Sequence, residues 1–274
     1  MDSFRRSPLG GTPPVVKNLL IINVLMLLAT WVLRNTLGVD LTRVFGLYYF
    51  ESEHFEPYQF VTHMFMHGGL WHLFFNMFAL WMFGRVLETV WGSKRFFTYF
   101  VITGLGAAAL HMLVNHFQIS SIESAADKVL NSPTPDQFAT FVKDYFPEYY
   151  RQVYGKLLDN WYNSPNSMVY IKQAREMMNE LIQFRLNIPT VGASGAVFGV
   201  LLAFGMMFPN TRLMLLFPPI PIKAKYFVIM YGILELYLGL TQPGSNIAHF
   251  AHLGGMIFGF FLIKYWSKNR NKWI

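Results

Sequence analysis

Two side chains in this sequence could carry out a reaction together if the fold brings them within reach. Ser194 sits in Val191-Gly192-Ala193-Ser194-Gly195, and His252 sits in Ala251-His252-Leu253-Gly254-Gly255. An imidazole hydrogen-bonded to a hydroxyl can take its proton and make it a nucleophile, which is the basis of acyl transfer by serine. The chain has no cysteine, which excludes a thiolate nucleophile, a disulfide and a thiolate metal site. His63, His67 and His72 cluster upstream, and Asn76 follows His72 by four residues, so those two share one helix face. His249, three residues before His252 on the same face, reads as structural, with a supporting or water-organising role as the alternative, and is kept out of the catalytic set. Metal binding is the rival chemistry for these histidines. No carboxylate sits among them in sequence and no His-Glu-x-x-His pattern occurs, so neither a metal nor another cofactor is expected.

Such groups need a scaffold, and the composition indicates which kind. Of 274 residues, 53% are hydrophobic, 18% aromatic and only 14% charged, against about 25% charged in soluble domains. Disorder and a disulfide-stapled secreted scaffold are excluded. Apolar segments recur at Val15–Leu33, Leu70–Val90, Phe96–Phe117, Ala193–Phe208, Ala224–Leu240 and Ile247–Trp266. At a rise of ~1.5 Å per residue, most approach the ~30 Å thickness of a bilayer core. The fourth spans only about 24 Å, as a helix that begins inside the membrane would. The first follows a Pro/Gly-rich head and lacks a small-residue cleavage site, which reads as an anchor and not a signal peptide. Lys and Arg collect at the N-terminus, between segments two and three, between four and five, and at the C-terminus. Those are alternate ends of a six-helix bundle. The net charge of +7 is then an orientation signal that places both termini in the cytoplasm. Dispersed in this way, the basic residues form no nucleic-acid-binding stripe.

Residues 118–187 interrupt the bundle with a polar stretch punctuated at Ser132-Pro133-Thr134-Pro135 and Asn163-Ser164-Pro165-Asn166. Ser132 or Thr134 before Pro135 reads as a helix start. Three or four short helices, outside the membrane on the non-cytoplasmic side, are expected there. The fold class is therefore an all-α polytopic membrane protein in three parts: 1–117 with segments one to three, the insertion 118–187, and 188–274 with segments four to six. Gly195, Gly199 and Ala203 form one small-residue stripe, and Ala251, Gly255 and Gly259 another, which allow close helix approach. If the stripes face each other, Ser194 meets His252 near the non-cytoplasmic helix ends. The start of segment four adds free N–H groups suited to an oxyanion. Glu88 and Glu235, near helix ends, are expected to snorkel toward water.

Gly192-Ala193-Ser194-Gly195 resembles the Gly-x-Ser-Gly motif of rhomboid intramembrane serine proteases. Ala251-His252-Leu253-Gly254-Gly255 with Gly259 resembles that family's Ala-His-x-x-Gly-x-x-x-Gly motif on its sixth helix. His67-Gly68-Gly69-Leu70-Trp71-His72-Leu73-Phe74-Phe75-Asn76 resembles its His-x-x-x-x-His-x-x-x-Asn on the second. The likeness covers both flanks of the insertion. It implies that Ser194 attacks the scissile carbonyl and His252 takes the proton, a dyad without a carboxylate. It further implies that His72, Asn76 and the Ser194 N–H hold the oxyanion, and that Phe198 stacks on His252. Gly192 and Ala193 would be small so that a substrate backbone can lie beside Ser194, while His63 and His67 match structural positions. Two departures stand out. Tyr58-Gln59 occupies the place where the family often has Trp-Arg, and the insertion far exceeds the short loop of the minimal six-helix form.

The resemblance implies a serine endopeptidase that cleaves transmembrane protein substrates at the non-cytoplasmic face of a lipid bilayer, in the cell or inner membrane if the source is bacterial. Segment five and the loop Leu240–Ile247, with Pro243 and Gly244, would be its gate. The Phe217–Pro221 turn would join segments four and five rigidly. A non-catalytic relative that only binds membrane helices is the nearest alternative, but such proteins generally lack the Ser or the His. A transporter is disfavoured by the absence of visible inverted repeats.

Overall fold

The computed structural model describes residues 11–214, 219–242 and 248–268. Its longer helices are α1 (Pro14–Leu37), α2 (Leu70–Trp91), α3 (Ser93–Asn131), α4 (Pro135–Tyr145), α5 (Met168–Leu186), α6 (Ser194–Met207), α7 (Ala224–Thr241) and α8 (His249–Lys268). Four of them, α1, α2, α3 and α7, are long and apolar enough to cross a membrane, and α6 is a shorter apolar helix. The chain divides into two compact units. One holds the chain up to Leu47 together with Glu56–His111 and everything after Ile188; the other holds Tyr48–Phe55 and Met112–Ile188. Helix α3 runs from the first unit into the second.

In the first unit, Val16, Leu80, Leu87, Phe96, Tyr99, Val200 and Ala203 form a buried core. The outward faces remain apolar: Leu25, Leu28 and Trp31 on α1, and Tyr226, Ile229, Ile233 and Tyr237 on α7, are all exposed. Surfaces of this kind face hydrocarbon, not water. Helix α1 begins at Pro14 in the first turn and ends at Gly38, whose φ of 69° is the left-handed cap geometry glycine tolerates. The first N–H groups of a helix lack partners within it. Glu88 supplies them, accepting from Val15 N–H at 2.9 Å, Val16 N–H at 2.8 Å and the Ser93 hydroxyl at 2.7 Å. The expected snorkelling of Glu88 is thus overturned: it is 2% exposed and held by α1's own N-terminus.

The connection from α6 to α7 departs from an all-α fold. Strands β1 (Arg212–Met214) and β2 (Pro221–Lys223) pair antiparallel, with Leu213 opposite Ile222. Those two are the half-buried positions, so a two-stranded ribbon buries one side of the linker while pairing its backbone groups. Phe217 and Pro218 of the expected rigid turn lie outside the described residues, whereas Pro221 opens β2.

The second unit has its own core. Helix α3 passes residue 117, where the apolar run ends, and continues to Asn131, because no breaker occurs before Ser132-Pro133. The Thr134 hydroxyl accepts the Gln137 N–H at 3.2 Å, and Pro135 takes the first position of α4. Short helical turns follow between Pro147 and Asn163, ahead of α5. Phe138, Val142, Leu158 and Trp161 are fully buried together, joined by Ile122 and Val129 of α3 and Met178 of α5. Trp161 also donates its indole N–H to the Pro165 carbonyl at 3.0 Å. A packed tryptophan core holds this second unit together.

Candidate active site

Everything in this site belongs to the first unit. The stripes face each other at their starts, where a Cβ on Gly255 of α8 would collide with the Gly195 carbonyl of α6, while Gly199 and Gly259 open instead onto Thr103 and Tyr99 of α3. The Tyr99 hydroxyl of α3 donates to the Gly199 carbonyl at 2.8 Å and ties the first half of α6 to α3. Close backbone approach brings the two helix starts together. Ser194 Oγ lies 2.8 Å from His252 Nε2. Phe198, one turn on from Ser194, stacks flat on the imidazole, with ring centroids 4.2 Å apart and planes within 5°. The serine is half-buried and the histidine buried.

The strand-like approach to Ser194 is set by the segment before it. Leu47 and Thr190 exchange backbone hydrogen bonds at 2.9 and 2.8 Å, and the Thr190 hydroxyl meets His111 Nε2 at 2.7 Å. Gly192 then donates its N–H to the His63 carbonyl at 2.9 Å with φ of +125°, a conformation that side-chain-bearing residues rarely adopt. A Cβ placed there would stand 2.8 Å from His72 Nε2 and 3.6 Å from Ser194 Oγ. The two side chains therefore border one small space beside the Gly192 backbone. Gly68 N–H points at His72 Nδ1 at 3.4 Å, which leaves the His72 proton on Nε2, facing that space. Asn76 is buried and donates to the His72 carbonyl at 3.0 Å, so it braces α2. A cavity with room for about one water lies beside Ser194, Gly192, His63, Thr190 and Ala251.

His63 and His67 lie at the approach to α2. His63 Nδ1 bonds the Gln59 carbonyl at 2.8 Å, and burial draws its imidazole down to about 4. The His67 ring packs edge-on against His72 at 5.0 Å. At the Tyr58-Gln59 departure, both side chains donate to the Val44 carbonyl, at 3.2 and 3.3 Å, and the Thr62 hydroxyl donates to Phe45 at 2.8 Å. The loop is therefore tied without a Trp-Arg pair.

Glu235, like Glu88, departs from the expected snorkelling. Instead of snorkelling, it is 6% exposed on α7, and its Oε2 accepts the His249 Nδ1–H at 2.6 Å. The same oxygen lies 2.9 Å from His252 Nδ1. A carboxylate does sit among the histidines, contrary to the expectation from spacing. Glu235, His249 and His252 together present donors of the type that hold a metal ion. Donors on one tetrahedral zinc at ~2.0–2.1 Å stand about 3.3 Å apart, so spacings of 2.6 and 2.9 Å fit a shared proton better than an ion. The Pro243-Gly244 loop expected to act as a gate lies outside the described residues, as does Ile247.

A family model of the rhomboid domain matches residues 54–121 and 155–269, more than half of the chain. The chain is 23% identical over 212 residues to "Rhomboid protein 1, mitochondrial" of Saccharomyces cerevisiae, covering 76% of this chain and 42% of that protein. It is 40% identical over 60 residues to "Rhomboid-like protein 15" of Arabidopsis thaliana, covering 22% of this chain and 15% of that protein. The match thus spans less than half the length of either relative. Apolar helices built to cross a bilayer, small-residue packing around Ser194 and His252, and the family match agree: the chain belongs to the rhomboid family of integral membrane proteins.

Proposed function

We propose that this protein is an intramembrane serine endopeptidase that cleaves transmembrane protein substrates at the non-cytoplasmic membrane face. The observation that carries the reading is the 2.8 Å approach of His252 Nε2 to Ser194 Oγ under the stacked Phe198 ring. Ser194 attacks the scissile carbonyl while His252 takes its proton and later returns it to the leaving amine. His72 Nε2–H, the Ser194 N–H and, once its amide turns from the helix backbone, Asn76 receive the oxyanion. Gly192 and Ala193 leave room for the substrate backbone, and water from the outer face hydrolyses the acyl-enzyme. Six membrane passages, α1, α2, α3, α6, α7 and α8, leave both termini in the cytoplasm and the folded insertion 118–187 outside, between membrane parts 1–117 and 188–274. Alternate placement of the basic clusters supports this orientation.

The test is labelling of the detergent-folded protein with a fluorophosphonate serine probe. Rapid labelling of the parent, lost in Ser194→Ala and His252→Ala, is the expected result. Labelling that persists in Ser194→Ala, or never occurs in the folded parent, refutes the nucleophile. The second reading, metal chemistry at Glu235, His249 and His252, predicts stoichiometric metal in the purified protein and loss of cleavage on chelation.

A further inference from the structure

Resting on the serine-peptidase reading, we infer that Glu235 is a positioning residue for His252, so that the site is a buried carboxylate–imidazole–hydroxyl relay and not a bare pair. A carboxylate in the middle of an apolar membrane helix is expensive unless it is paired. On α7 its neighbours Leu234 and Leu236 face outward, at 43% and 47% exposed, while Glu235 is turned inward and buried. The partners it reaches are the imidazoles of His249 and His252.

Proton accounting explains why the reaction benefits. For Ser194 to give its proton to His252 Nε2, that nitrogen must begin with a free lone pair, so the ring proton is on Nδ1. An Nδ1–H buried without an acceptor would favour the opposite, inactive tautomer. Glu235 Oε2 stands 2.9 Å away, close enough but not aligned for a full hydrogen bond in the resting site, and is the carboxylate placed to accept that proton and hold the active tautomer. When the serine oxygen bonds to the scissile carbonyl carbon, its proton moves to Nε2, and the resulting imidazolium lies beside the ionised carboxylate. The same proton then leaves on the amine as the C–N bond breaks, and Glu235 stays ionised throughout.

His249 has a distinct part. Its Nδ1–H makes the shorter and better-aligned bond to Oε2, which holds the carboxylate in place before the reaction starts. Its own Nε2 is buried and has no hydrogen-bond partner among the described residues. Apo catalytic hydrogen bonds commonly tighten only as charge develops. Here the charge that draws the carboxylate onto His252 is the imidazolium itself. The titratable groups around His252 are Glu235 from α7, Ser194 from α6, His249 on α8 and His72 from α2. Of these, Glu235 supplies the negative charge.

The experiment compares the full-length parent with Glu235→Gln, Glu235→Asp and Ser194→Ala in detergent, measuring kcat and KM on a transmembrane substrate across pH, alongside fluorophosphonate labelling. Glu235→Gln is expected to lower kcat by roughly 10²–10⁴ with little change in KM, as loss of the carboxylate does in other serine hydrolases. Its pH–rate profile should differ from the parent's, because a neutral amide replaces the charge that faces His252. Glu235→Asp, whose carboxylate stands farther back, should fall at least tenfold and yet exceed Glu235→Gln. A Glu235→Gln enzyme within threefold of the parent, with a superimposable pH profile, overturns the inference. If Glu235→Gln does not fold, an unchanged kcat and pH profile in Glu235→Asp overturns it equally. Stoichiometric metal in the parent that disappears in Glu235→Gln also overturns it. An unlabelled parent, or a labelled Ser194→Ala, refutes instead the serine reading on which the inference stands.

Discussion

Replacing Gly192 by alanine perturbs the site where its backbone is tightest. The φ of +125° is one that alanine rarely adopts, at a strain of about 1–3 kcal/mol. The added methyl would stand 2.8 Å from His72 Cε1 and Nε2, whereas relaxed non-bonded contacts begin near ~3.5 Å. The imidazole must therefore retreat by roughly 0.7 Å, more than the ~0.5 Å within which a catalytic group keeps its geometry. If His72 is an oxyanion donor, its displacement costs about 10²–10³ in kcat, the usual loss of one such donor, or ~2.7–4 kcal/mol. Substrate cleavage and the fluorophosphonate labelling rate should fall together, while denaturant titration shows only the smaller strain. Gly155→Ala is the control: nothing lies within 4 Å of its new methyl, and the position is helical. It should leave activity unchanged and stability equal or up to about 1 kcal/mol higher. Labelling of Gly192→Ala within threefold of the parent would refute the placement of His72 against the reacting oxygen.

Glu88→Gln leaves one of the α1 N–H groups without its charged acceptor, and stability should drop by about 2–4 kcal/mol in reversible micellar unfolding. Activity per folded molecule should be unchanged, since Glu88 stands at the opposite end of α2 from His72; a loss under ~1 kcal/mol would refute the capping role. His63 links stability to pH. Its imidazole titrates at about 4 when folded, because burial disfavours the charged form more than the Gln59 carbonyl bond favours it, against 6.5 when unfolded. The folded state binds fewer protons in that window. The contribution is thus complete above pH 6.5 and lost as pH falls toward 4, up to about 3 kcal/mol. His63→Asn should flatten that part of the pH dependence of unfolding; an unchanged slope would exclude it.

Ser194, His252, His72, Asn76 and Phe198 were legible because each lies within a local pattern on its own helix. Glycines at intervals of four determine which face of α6 and of α8 admits close approach, and Ser194 and His252 sit beside those faces. The same local information missed Glu235. Helix α7 is apolar nearly all round, so no 3.6-residue pattern marks which face turns inward, and a lone carboxylate reads as one that snorkels. Glu88 was misread for the same reason: its partners are backbone N–H groups of a helix more than 70 residues away. The ribbon β1–β2 arose where paired backbone, not side-chain periodicity, decided the local structure. The sequence alone therefore determined membrane residence, the Ser194–His252 pairing and its likeness to a family, all of which are written in composition and short-range spacing. Only the tertiary structure decided which buried carboxylate meets which imidazole, because the inward face of a uniformly apolar helix is chosen by its neighbours.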